Sequence, residues 1–156
     1  MFAHGAIAER GGYLHIDDYA IAGLEAHGNL YALWIASAAA ANPSTDRGGL
    51  LQIVFANQGR FTWCRAEGAR LAWEFVRAAR ERETALFHAR QARGSKHWRK
   101  NAITEFQHYL ITLIEVRGGF RAPANLNCGR AHDWIAQVGG HPDFWAPPAH
   151  PPVFDE

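Results

Sequence analysis

The residues best equipped for chemistry crowd into one stretch near the C-terminus, where Cys128, His132, Asp133, His141 and Asp143 lie beside Trp134, Phe144 and Trp145. Cys128 and His132 are one helical turn apart. A thiolate is the attacking species of a cysteine nucleophile, and an imidazole within reach lowers its pKa. His132, His141 and Asp143 add groups able to pass protons, so a small hydrolytic site built from Cys128, His132, His141 and Asp143, walled by Trp134 or Trp145, is one expectation. Against it, no family-specific signature or oxyanion loop accompanies the pair, and a cysteine of this kind is ordinarily an inert, partly buried side chain.

The other motifs that suggest chemistry fall short. Glu105 and His108 have the E-x-x-H spacing of carboxylate-bridged di-metal bundles, but such sites need it twice with further glutamates, and here it occurs once. His15-Ile16-Asp17 has the H-x-D form of some iron oxygenases, yet it stands too near the start for barrel strands to precede it. No metal site is expected. The pairs Gly11-Gly12, Gly48-Gly49 and Gly118-Gly119 lack both a following Lys-Ser/Thr and the dinucleotide-loop spacing, so no nucleotide loop and no particular cofactor is read.

A second kind of site is electrostatic. Between Arg65 and Lys100, ten Arg or Lys face four Glu, a formal +6 in a chain whose net charge is +1, which leaves −5 elsewhere. Arg70 with Glu74 and Arg77 with Glu81 have the i,i+4 spacing of ion pairs on a solvated helix face. The excess falls later, at Arg90, Arg93, Lys96, Arg99 and Lys100, with Trp98 among them as a stacking surface. Lysines and arginines so clustered gain counterion-release free energy on a polyanion without exact spacing. The first expectation for function is therefore a small binding protein that uses this surface to engage nucleic acid or an acidic protein surface; the hydrolytic enzyme is the alternative.

These groups need a scaffold. With 156 residues, 48% of them hydrophobic, the chain suits one globular domain, and its 6 Trp supply large side chains for a core. Tyr13–Ile16 and Ala6–Glu9 flank a tight-turn sequence, Arg10-Gly11-Gly12. Apolar residues at helical spacing predict a helix from about 18 to 41, weakened at His27-Gly28-Asn29, where two shorter helices are the alternative. Residues 50–64 read either as a short helix capped by Ser44 or Asp46 and stopped by Gly59, or as a β-hairpin turning at Asn57-Gln58-Gly59. From about 66, a broad apolar face carrying Phe75, Val76, Leu86 and Phe87 runs to Gly94-Ser95. A further helix from about 96 to 116 buries Trp98, Ala102, Phe106, Tyr109, Leu110 and Leu113 and ends at Gly118-Gly119. The fold expected is mostly α, a single domain built on the helical hairpin of about 66–117, with α+β as the alternative should 50–64 be strands. A short helix at 132–138 follows, then a proline-rich extended tail, 146–156, whose aromatics fold back rather than stay wet.

The stretch from Met1 to Tyr13 shows no signal-peptide pattern, and the longest mainly apolar run without charge, 30–41, falls short of the roughly 20 apolar residues that span a bilayer. Two cysteines far apart suggest a reducing, cytoplasmic setting.

Overall fold

Asp17 opens the first helix, α1 (Asp18–Glu25): its side chain accepts a hydrogen bond from the Ala20 amide at 3.0 Å, satisfying a donor that a helix start leaves bare. A computed structural model, which describes residues 16–154, places five further α-helices after it: α2 (Gly28–Ala41), α3 (Arg47–Phe55), α4 (Gln58–Arg93), α5 (Glu105–Gly118) and α6 (Cys128–Gln137). Short 3-10 turns cover His97–Lys100 and Pro142–Phe144. The fold is mostly α, and no strand occurs among the described residues, only an isolated bridge between Ala102 and Asn127. The proposed turn at Arg10-Gly11-Gly12 and the histidine of His15-Ile16-Asp17 lie outside the described residues.

Local chemistry accounts for where the helices break. The continuous helix over 18–41 is instead two, because the chain leaves helical geometry at His27 (φ −114°, ψ 73°) before restarting at Gly28. Residues 50–64 form no β-hairpin. Asp46 caps α3 by accepting from the Gly49 amide at 2.7 Å, and Asn57, rather than turning a hairpin, accepts from the Arg60 amide at 3.0 Å as α4 begins. Gly59, expected as a helix stop, lies inside α4. At 1.5 Å per residue the 36-residue α4 is about 54 Å long.

The helix expected from 96 starts later. Asn101 is extended (ψ 161°), and Thr104 with Gln107 forms a reciprocal capping box that restarts the chain as α5. Gly119, in the left-handed region at φ 66°, ends it.

Contacts divide the chain into two compact units, one made of residues up to Phe75 together with those from Pro148, the other of Val76–Pro147; the boundary falls inside α4. In the first unit Trp34, Leu24, Leu51, Val54 and Cys64 are almost wholly buried. Here α1 and α4 touch backbone to backbone: a Cβ on Gly23 would lie 1.9 Å from the Cys64 carbonyl oxygen, and one on Gly68 1.9 Å from that of Tyr19. The proline-rich tail folds back, with Phe154 edge-on to Trp34 (5.0 Å) and Trp63 (5.8 Å), while the Trp63 indole N–H donates to the Pro152 carbonyl at 2.6 Å.

In the second unit Leu110, Ile111, Ile114 and Ala131 are buried where α5 meets α6. That is a different face of α5 from the one expected, since Phe106 is 63% and Tyr109 60% exposed. Phe75 is 71% exposed as well, and only Leu110 of the hairpin's expected core residues is buried. Residues of the second half of α4 and the start of α5 line one cavity together.

Candidate functional site

Two adjoining cavities dominate the second unit. One, of about 560 Å3, is lined mainly by apolar groups from α4 (Phe87), the 3-10 turn (Trp98), α5 (Phe106, Leu110) and α6 (Ile135), with Cys128, His88 and His132 among its walls. The other, of about 850 Å3, adds Arg77, Arg80, His141 and Phe144. Glu83, Thr84, His88 and Phe106 line both, so the two form one groove, open to solvent.

An aromatic cluster builds its floor. The Phe87 ring packs against Trp98 (5.6 Å) and His132 (5.5 Å), and His132 also meets Trp98 (5.6 Å) and His88 (5.7 Å). Trp98 is turned inward by a hydrogen bond from its indole N–H to Gln91, and the Arg99 guanidinium stands 5.3 Å from its ring centre. Gly129 allows the 3-10 turn to approach, since a Cβ there would come within 2.7 Å of the Arg99 side chain. Asn127 caps α6 by accepting from the Arg130 amide at 2.9 Å. Cys128 is tied down through its backbone: its amide donates to Asn101 and its carbonyl accepts from the Gln107 side chain, each at 2.9 Å.

The four residues expected to do acid–base or nucleophilic work are divided by the structure. Cys128 and His132 line the apolar cavity together, but no hydrogen bond joins them among the described residues, and His132 Nδ1 instead faces Asp133 at 3.4 Å. His141 lines the adjoining cavity. Its Nδ1 accepts from the Asp143 amide at 3.2 Å, and burial pushes its pKa below the ordinary value against the opposing pull of the Asp143 carboxylate, 3.6 Å away. Asp143 pairs with Arg117 and lines neither cavity. Trp134 and Trp145 are not walls of the groove; the Trp145 ring sits in a slot edged by Gly118 and Gly139, where a Cβ would come within 2.5 and 3.2 Å of it.

The expected anion-binding residues are also divided. Arg90, Lys96 and Lys100 are exposed and have no carboxylate partner among the described residues. Arg93 ends α4, with its side chain outside what is described. Arg99 is engaged by Asp133 and by the Gly129 carbonyl at 3.4 Å, and its guanidinium holds the Asp133 carboxyl below the usual range. Trp98 is half-buried, so it is not a free stacking platform.

Charge follows the unit boundary. Residues 76–147 carry eleven Lys or Arg against six Asp or Glu, a formal +5, whereas the remainder carries five against nine, −4. Phe87 and Phe106, expected in the core because a helical stripe of this kind ordinarily marks one, line the groove, and the polar Thr84 and His88 beside them carry no spacing signal of a site. No family model, curated protein or solved structure matches the chain, so the site is read from its own chemistry.

Proposed function

We propose that this is an interaction protein whose second unit, Val76–Pro147, engages an anionic partner through Arg90, Lys96 and Lys100. The observation that carries the reading is the charge division: the unit holds +5 against −4 in the rest of the chain, and these three exposed cations have no carboxylate partner among the described residues. Several of the other basic side chains are already committed. Arg77 pairs with Glu81, Arg99 with Asp133 and Arg117 with Asp143, while Arg80 lies over the Phe144 ring. Positive charge on a helix end and the turn after it attracts a polyanion at a distance and releases its counterions on contact.

The hydrolytic alternative rests on Cys128 and His132 sharing a cavity. It lacks a bond between the two, and its expected third member, Asp143, is held by Arg117.

Replacing Arg90, Lys96 and Lys100 together by Glu tests the binding reading. Elution from immobilised heparin should move to much lower salt, and the salt dependence of any residual binding should flatten. Elution at the parental salt concentration, with helicity unchanged, refutes it.

A further inference from the structure

We propose that the groove between α4 and α5 seats an amphipathic helix of a partner protein, its apolar stripe on Phe87 and Phe106 and its acidic residues toward Arg90, Lys96 and Lys100. This rests on the reading that the second unit engages an anionic partner and names the class of that partner. Three observations lead to it.

First, the groove exposes side chains that a finished helical core would cover. Phe106 is 63% exposed and Phe87 37%. Both walls are helices, so a third helix laid between them completes a packing that the chain leaves open, the geometry by which grooves take amphipathic segments. Its two parts, about 560 and 850 Å3, continue into one another and stay open along their length, whereas a small-molecule site encloses most of its ligand.

Second, charge gives the groove a direction. Arg90 follows Phe87 by one helical turn, and Lys96 and Lys100 flank the turn that carries Trp98, so three exposed cations without a carboxylate partner among the described residues lie at the Trp98 end, whereas Arg82, toward the other end, donates to the Ala78 carbonyl. Toward the other end, Arg77 is already paired with Glu81 and Arg80 is laid over Phe144, with Glu83 beside them. An acidic cluster on the occupant therefore belongs at the Trp98 end.

Third, nucleic acid fits less well. The Trp98 ring beside the cations is engaged by Phe87, His132 and Arg99, so it is not a free platform for a base, and a phosphate backbone offers no aliphatic stripe to Phe106, Leu110 and Ile135.

The test uses the full chain and three designed 18-residue helical peptides followed by fluorescence anisotropy: one with a Leu stripe and Glu flanks, one with the Leu replaced by Gln, and one with the Glu replaced by Lys. The first peptide should bind at least tenfold more tightly than either of the others. Phe106→Asp should weaken it at least tenfold. Thr84→Trp, which fills the groove at an exposed position lining both cavities, should do the same, and both variants should keep the parental melting temperature. Equal binding of the Gln-stripe peptide overturns the groove assignment while leaving the charge reading intact. Equal binding of the Lys-flanked peptide overturns the acidic partner and the charge reading beneath it. A dimer of the protein alone in sedimentation velocity, lost in Phe106→Asp, overturns the proposal in favour of a second copy as occupant.

Discussion

Substituting Gly68 by Ala perturbs one atom and should be felt through the whole first unit. In an α-helix the change is ordinarily favourable, by about 1 kcal/mol, because alanine gives up less backbone entropy than glycine. Here the new methyl would sit 1.9 Å from the Tyr19 carbonyl oxygen, whereas ordinary contact begins at 3.4 Å. The atom in the way belongs to backbone, so no rotamer change relieves the clash; α1 and α4 must separate by about 1.5 Å, opening space beside Ala20, Leu24 and Cys64, all buried. Overpacking of a core costs about 1–3 kcal/mol and sometimes more, and a backbone clash belongs at the top of that range, so a net loss of about 2 kcal/mol remains after the propensity gain. At about 2–4 °C per kcal/mol for a chain of this size, the melting temperature followed by far-UV circular dichroism should fall by about 4–8 °C. Gly23→Ala should behave alike, since its methyl meets the Cys64 carbonyl at the same 1.9 Å. Gly28→Ala is the control: with nothing within 4 Å of its Cβ, it should melt no lower than the parent. A Gly68→Ala protein as stable as the parent would show that α1 and α4 do not meet through these two glycines.

Two further outcomes concern titratable groups of the first unit. Glu67, the buried charged side chain among the described residues, is held below the usual carboxylate range chiefly by hydrogen bonds from Arg70 and then from His27. Its stabilising contribution is therefore complete above the unfolded value of about 4.3 and is lost as pH falls through the lower folded value. Glu67→Gln should cost about 1.5–3 kcal/mol near neutral pH, because Arg70 loses its charge-assisted bonds to Glu67 and keeps only the exposed Glu74 as a carboxylate partner, and should flatten the decline in urea midpoint below about pH 4; an unaltered acid limb would place the acid-sensitive group elsewhere. Both cysteines are free, and burial pushes the Cys64 thiol up to about 12 against the opposing charge of Arg60. Ellman's reagent at neutral pH should thus titrate Cys128 alone in the native protein and both thiols in denaturant, and rapid native reaction of both would contradict the burial of Cys64.

What the sequence made legible was mainly local chemistry. Asp17, Asp46 and the Gly118-Gly119 pair mark helix ends by side-chain acceptors and left-handed backbone, which need no knowledge of the rest of the molecule. Periodicity also placed Phe75, Phe87 and Phe106 on apolar faces. It could not say whether anything covers those faces, and their exposure is a property of helices brought together across a cavity rather than of any spacing. The same limit governs charge: Arg70 and Glu74 found each other at i,i+4 as their spacing suggested, but Arg99 is bound by Asp133, 34 residues away, which removed one cation from the expected surface. Cys128 and His132 meet the same cavity because one helical turn separates them on α6, whereas His141 and Asp143 follow two glycines at φ 91° and 74° whose turn directs them elsewhere.

The return of the tail to Trp34 and Trp63 has a bearing on biosynthesis. The first unit is discontinuous in the chain: its last piece is made only after the 72 residues of Val76–Pro147. At translation rates of about 5–20 residues per second, that interval is about 4–15 s. Throughout it, both indoles lack the Phe154 ring that packs against them, and Trp63 lacks the Pro152 carbonyl that accepts its N–H. Both indoles thus wait for seconds, and synthesis of Pro152 and Phe154, not completion of the helices, sets the earliest moment at which the first unit can close.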